Sequence, residues 1–232
     1  FLGTEYGIYV SVNGGNKWLK FSSGLPTISI RDLAIQKREN DLIAATFGRG
    51  FYVLDDYSSL RFISANSLND NLVFTPRKAL QYNQIRPGSS SQGSNTYYAK
   101  NPAYGATFTF YMSDEILTKK QKRLKVEKDL EKTNSDIPFP GWEELDEELN
   151  EKSPLTIIEI YDSENSFVER LTFPYTKGFN RVSWDLSKKI RTHVSSGSSR
   201  FYSPSIRVSP GKYSFNVYTF YDGQVNKIGS KF

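Results

Sequence analysis

The chain has 232 residues, a formal net charge of +5, 38% hydrophobic and 15% aromatic residues, and no cysteine. That leaves room for one large or two ordinary domains with packed β cores, and it excludes an intrinsically disordered chain. Disulfides, thiolate metal sites and Cys–His nucleophiles are excluded too, and a Ser-His-Asp triad has one histidine, His193, to draw on.

The chain opens on a phrase written twice. Leu2-Gly-Thr-Glu-Tyr-Gly-Ile-Tyr-Val-Ser11 returns as Ala44-Ala-Thr-Phe-Gly-Arg-Gly-Phe-Tyr-Val-Leu54. Thr4 and Thr46 are 42 residues apart, whereas Gly7 and Gly50 are 43 apart, so the second copy carries one extra residue. A period of this length, built of short apolar strands, matches one four-stranded propeller blade. Strands are predicted at about 1–4, 7–12, 18–21, 28–36, 41–46 and 50–55, separated by Gly-rich or polar turns. Asn13-Gly14-Gly15 supplies positive φ for a tight turn, and Trp18 is expected to enter the blade interior. Gly48-Arg49-Gly50 has no helix behind it, so it reads as a turn and not as a phosphate loop.

The turn octapeptide Ser11-Val-Asn-Gly-Gly-Asn-Lys-Trp18 resembles an Asp-box, or BNR repeat, whose pattern is Ser-x-Asp-x-Gly-x-Thr-Trp. Ser11, Gly15 and Trp18 match, while Asn13 replaces the Asp and Lys17 the Thr. With Gly-Ile-Tyr-Val before it, the likeness is to sialidase-like and sortilin-like propellers. It implies that this is the last part of a propeller whose earlier blades lie upstream of Phe1. In that family the box is a structural turn on the periphery and carries no catalysis.

Residues 63–103 read as a connector between a propeller part at 1–62 and a second domain at 104–232. Leu72-Val-Phe74 and Ala79-Leu-Gln-Tyr82 are candidate short ordered pieces within it. Pro87-Gly-Ser-Ser-Ser-Gln-Gly-Ser94 has the makeup of a flexible loop, and Tyr97-Tyr98 is read as packing the connector onto a sheet. Ala106-Thr-Phe-Thr-Phe-Tyr111 alternates as the strand that opens the second domain.

A helical hairpin is then expected over about 113–152. Its first helix is capped by Ser113, with Asp114 and Glu115 in the first turn, and runs to about Lys132. Its second follows Ile137-Pro-Phe-Pro140, with Trp142, Leu145 and Leu149 at i, i+3, i+7. The first is basic and the second acidic, and residues 113–152 together carry 8 Lys/Arg against 12 Asp/Glu. Surface ion pairs contribute about 0–1 kcal/mol each, so Trp142 and the leucines are expected to hold the hairpin.

From Pro154 the chain is β again, through Thr156–Tyr161, Phe167–Phe173, Gly178-Phe-Asn-Arg-Val-Ser-Trp-Asp185 and Pro210-Gly-Lys-Tyr213. A last hairpin turns at Asp222-Gly223 into a strand at 227–232. This order resembles the FlgD-like immunoglobulin-type domain appended to many exported bacterial proteins, over about 155–220. Its pattern Gly-x-Asn-x-Val-x-Trp-Asp, then Pro-Gly-x-Tyr, picks out Gly178, Trp184, Asp185, Gly211 and Tyr213 as structural positions. Trp184 should be core and Asp185 a turn carboxylate. The loop holding Ser195-Ser-Gly-Ser-Ser199 is longer than that pattern leads one to expect.

The fold expected is therefore mainly β: terminal propeller blades plus an immunoglobulin-like β-sandwich with an inserted helical hairpin. No catalytic, cofactor or metal residue stands out. Asp55-Asp56 is the only tandem carboxylate in the propeller part and reads as a polar strand end. The resemblances imply a non-catalytic, protein- or glycan-binding part of an exported bacterial protein, in the periplasm or on the cell surface. Its partners would be the upstream blades and another envelope protein or a glycan. The alternatives are an accessory part of a sialidase-like glycoside hydrolase with catalytic residues upstream, and a docking subunit of a cell-envelope complex. Nucleic acid is not expected, since no Arg/Lys stripe interleaved with aromatics occurs. No run reaches the length of a membrane span.

Overall fold

The computed structural model describes residues 1–64, 67–83, 99, 101–190 and 205–231. These are mainly β, in five small antiparallel sheets of which none closes on itself. They divide into two compact units, the first formed mainly by Phe1–Asn69 and the second by residues from 70 onward. His193 and the segments 87–94, 97–98 and 195–199 lie outside the described residues.

In the first unit, β1 (Leu2–Thr4), β2 (Gly7–Val10) and β3 (Leu19–Phe21) form one meander, and β4 (Ile30–Gln36), β5 (Asp41–Thr46) and β6 (Phe51–Leu54) a second. The repeated phrase is one hairpin built twice. Gly3 pairs with Ile8 in the first and Ala45 with Phe51 in the second. In each, the threonine hydroxyl closes the turn by donating to a glycine carbonyl, Thr4 to Gly7 at 3.0 Å and Thr46 to Gly50 at 2.7 Å. The extra residue of the second copy sits inside that turn, where Gly48 and Gly50 take φ of 79° and 69°, values an L side chain rarely adopts.

Alternation along these strands decides their faces. Ile8, Ile30, Leu42 and Ala44 are buried in one core with Tyr57. Gly3 lies directly under β4: a Cβ there would stand 2.7 Å from Ile30 Cγ2. Beyond β6 the chain makes a short 3-10 turn over Tyr57–Phe62, capped by Asp56, whose carboxylate accepts from the Ser58 amide.

The second unit contains β7 (Leu72–Val73), β8 (Ala106–Met112), α1 (Lys119–Lys132), α2 (Trp142–Asn150), β9 (Leu155–Tyr161), β10 (Phe167–Pro174), β11 (Gly178–Trp184), β12 (Ser187–Lys189), β13 (Ser205–Arg207), β14 (Ser214–Tyr221) and β15 (Gln224–Lys231). A four-stranded sheet runs β10-β9-β14-β15, a three-stranded one β11-β8-β7, and β12 pairs with β13. The inward residues of the two larger sheets share one core, with the Phe108 and Phe215 rings 4.5 Å apart. Leu72–Val73, inside the segment read as a connector, pairs with β8.

The helical hairpin departs from expectation twice. Its first helix begins at Thr118 and not at Ser113, because Thr118 and Gln121 form a reciprocal capping box. Ser113 is drawn away instead, its amide and hydroxyl both donating to Asn71 Oδ1. The apolar stripe does not hold the two helices together either. Trp142 is 76% and Leu149 82% exposed, and neither helix has a buried apolar residue.

What joins the helices is charge. Arg123 grips the Glu148 carboxylate with two donors at 2.7 and 2.8 Å, and Lys119 Nζ reaches Glu147 at 2.6 Å. On α2, Glu147 lies on the side opposite the stripe 142/145/149 and Glu148 next to Leu145, so with both facing the cations of α1 Trp142 and Leu149 are left outward while Leu145 is half-buried. The hydrogen bonds from Arg123 hold the Glu148 carboxyl below the ordinary glutamate range, and Lys132 does the same for Asp129. A depressed folded value means stabilisation that is complete at neutral pH and lost as pH falls through it. Acidification from neutrality to about pH 3 should therefore raise hydrogen exchange in α1 and α2 before it does so in β9 and β14. Equal loosening of helices and strands would contradict this.

Candidate functional site

Three places gather side chains with chemistry. The first is the turn after β2. Ser11 Oγ accepts from the Gly15 amide at 2.8 Å and donates to Asn13 Oδ1 at 3.0 Å, and that oxygen also accepts from the Lys17 amide at 2.9 Å. Gly14 and Gly15 take φ of 71° and 93°. Asn13 thus fills with its amide oxygen the acceptor position that an aspartate would fill. Trp18 is not buried, contrary to expectation; it is 43% exposed, with its ring edge toward Gly15. The three-residue β3 begins only after it. All the polar groups of the turn that these bonds use satisfy each other, which makes it a device of shape.

The second is a cleft of about 910 Å³ at one end of the second unit. Its floor is the shared core, with Phe108, Ile160 and Phe215. Trp184 stands beside it, 2% exposed, with its indole N–H donating to the Ser187 carbonyl at 2.7 Å and Tyr213 packed edge-on at 5.6 Å. Asp185 Oδ1 accepts from the Ser187 amide and hydroxyl, fixing the bend that follows β11. Tyr213 donates to the Ser209 carbonyl at 2.6 Å across the turn holding Gly211. Lys78 and Lys212 stand on the rim, and Asp162, the carboxylate among the described lining residues, is committed to the amides of Glu164 and Ser166. An apolar floor with a cationic rim suits a ligand that is part apolar and part anionic. The pair of positioned carboxylates that glycoside hydrolysis uses is not present among these lining residues.

The third lies on the outer face of the four-stranded sheet. Glu159 accepts from Tyr161 at 2.6 Å and from Arg170 at 2.6 Å. Burial would push the Glu159 carboxyl up, but these bonds outweigh it and hold it below its ordinary range. At the root of the hairpin, Glu151 joins Tyr221 of β14, at 2.6 Å, to the Lys119 amide, at 2.7 Å. Their carboxylate partners push both tyrosines up to about 12. None of these clusters was visible as a motif, since Glu159–Arg170 and Tyr221–Glu151 meet only through strand register and chain return.

No protein-family model, curated protein or solved structure matches this chain.

Among the described residues, no helix is long and apolar enough to cross a membrane. The raised tyrosines give a direct check of the geometry. A tyrosine whose folded value is raised stabilises fully below its ordinary value of about 10 and loses that contribution as pH rises toward 12. Burial raises Tyr175 and Tyr213 as well, so in an ultraviolet titration these four rings should ionise late. Tyr221→Phe should remove one of them and speed exchange at the Lys119 amide, with strands β9 and β10 unchanged. An unaltered late phase would mean that Tyr221 and Glu151 are not joined in solution.

Proposed function

We propose that this chain is a non-catalytic binding and scaffolding region of an exported bacterial propeller protein, ending in an immunoglobulin-type sandwich. The observation that carries the reading is the repeat. Overlaid on their common hairpin, the two meanders complete each other: the second has β4 where the first has a free edge, and the first has β3 where the second has one. The composite is a four-stranded antiparallel unit with a period of 43 residues, Gly7 to Gly50, and an Asp-box-like turn between its third and fourth strands. That is the size and order of a propeller blade. Earlier blades upstream of Phe1 then complete the ring, and the sandwich takes Trp184, Asp185, Gly211 and Tyr213 as its structural marks.

Binding without turnover follows from the sites themselves. Their carboxylates are committed to backbone amides, tyrosines or arginine, which leaves shape, aromatic surface and cationic rims to make contacts. The partners this fits are a glycan or an envelope protein. Calorimetric titration of the 232-residue chain with sialylated and neutral oligosaccharides, run beside assays on chromogenic glycosides, tests it. Binding with hydrolysis at the uncatalysed rate is expected; turnover abolished by substituting a residue of this chain would overturn it. The outward Trp142 and Leu149 of α2 favour a second reading, in which the helical hairpin is where an envelope complex docks.

A further inference from the structure

The two copies of the repeated hairpin have the same faces but not the same surroundings. In the first copy Phe1, Gly3, Ile8 and Val10 share one face; β4 and β5 of the second sheet cover Gly3 and Ile8, and the turn after β6, with Tyr57 and Leu60, borders Phe1 and Val10. Ile8 is 5% and Val10 9% exposed there. Their equivalents in the second copy are Ile43, Ala45, Phe51 and Val53, which share the outward face of the β4-β5-β6 sheet. On that face Phe51 is 75% and Val53 55% exposed. At Ile8/Phe51 and Val10/Val53 a surface that is covered in one copy is exposed in the other, while Ile43 and Ala45, like Phe1 and Gly3, are half-buried.

We infer that this outward face is a repeat interface whose occupant is a further antiparallel sheet of the same four-stranded unit. The inference rests on the propeller reading, which places that sheet in the same polypeptide. The packing already seen within the chain states what the occupant presents: apolar residues in the places of Ile30, Leu33, Leu42 and Ala44. It also states one difference. Gly3 leaves no space for a Cβ beneath Ile30, whereas its equivalent is Ala45. Phe51 is likewise larger than Ile8. The covering strand therefore carries a side chain smaller than isoleucine opposite Ala45, and a recess for the Phe51 ring.

The chain has no cysteine, so one introduced thiol reports on one position. Residues 11–53 are repeated once, with Val53 of the first copy running into a second Ser11 as Val10 runs into the first. This adds one full unit and sets a new sheet over the old outward face. Val53→Cys should react with a maleimide fast in the 232-residue chain. In the first copy of the lengthened chain it should react roughly tenfold or more slowly, like Val10→Cys in the 232-residue chain, as a covered site reached by local opening. A second version carries Ala45→Gly in the first copy, which restores the clearance seen at Gly3.

Fast labelling of the first-copy cysteine in both versions would overturn the inference, as would loss of protection at Ile8→Cys in both, because Ile8 is covered by Ile30, Leu42 and Ala44, which the lengthened chain keeps in place. Protection of Val53→Cys in the unlengthened chain that grows with protein concentration would also overturn it, by making a second copy the occupant. Glycoside turnover by the chain would undo the functional reading and leave these labelling results as they are.

Discussion

Trp184→Ala is expected to destabilise the second unit by roughly 3–5 kcal/mol, the range of a large aromatic truncated inside a core. The indole is 2% exposed and shares its core with Phe108, Phe110, Ile160 and Phe215. Truncation also removes the donor to the Ser187 carbonyl at 2.7 Å and the edge-on partner of Tyr213. A cavity and a lost hydrogen bond act in the same direction here. Trp18→Ala is the control, with a ring that is 43% exposed, and it should cost about 1 kcal/mol or less. Urea unfolding, with midpoints compared at constant slope, checks both. A Trp18 variant more damaging than the Trp184 variant would show that the two rings had been assigned to the wrong environments.

Gly105→Ala is expected to be as severe, by about 3 kcal/mol or more, although it adds a single methyl group. Gly105 has φ of 105°, outside what an L side chain readily adopts. Its new Cβ would fall on the carbonyl oxygen of Trp184, with Asp185 Cα 3.1 Å away. Both are backbone atoms at the pair Ala106–Trp184, where β8 and β11 meet, so neither can move without opening that ladder. Gly178→Ala separates the two terms. Gly178 has φ of 94°, but a Cβ there meets open space, so only the dihedral cost of about 1–2 kcal/mol remains. Equal stability of the Gly105 and Gly178 variants would remove the clash from the account. Thermal unfolding of the three proteins side by side makes the comparison.

Much of this chain was decided residue by residue and could be read without coordinates. The strands at 2–4, 7–10, 19–21, 30–36, 41–46 and 51–54 follow from alternation and from the glycines and asparagines between them. The hairpin written twice is the same hairpin, down to the threonine that closes it. The helical insertion and the hairpins after it were equally local, since periodicity and turn chemistry depend on neighbours a few places away. Tertiary structure decided where several local solutions were equal. Ser113 and Thr118 both suit a helix cap, and Asn71, 42 residues before Ser113, draws Ser113 out of the role. Trp18 and Trp184 both suit a core, and only Trp184 is enclosed in one. The stripe on α2 suits either burial or exposure, and with Glu147 and Glu148 held by the cations of α1 its Trp142 and Leu149 face outward. Gly105, Glu159 and Tyr221 owe their surroundings to register between strands distant in sequence. Their physical chemistry is a property of pairs, and the order of residues alone does not name the partner.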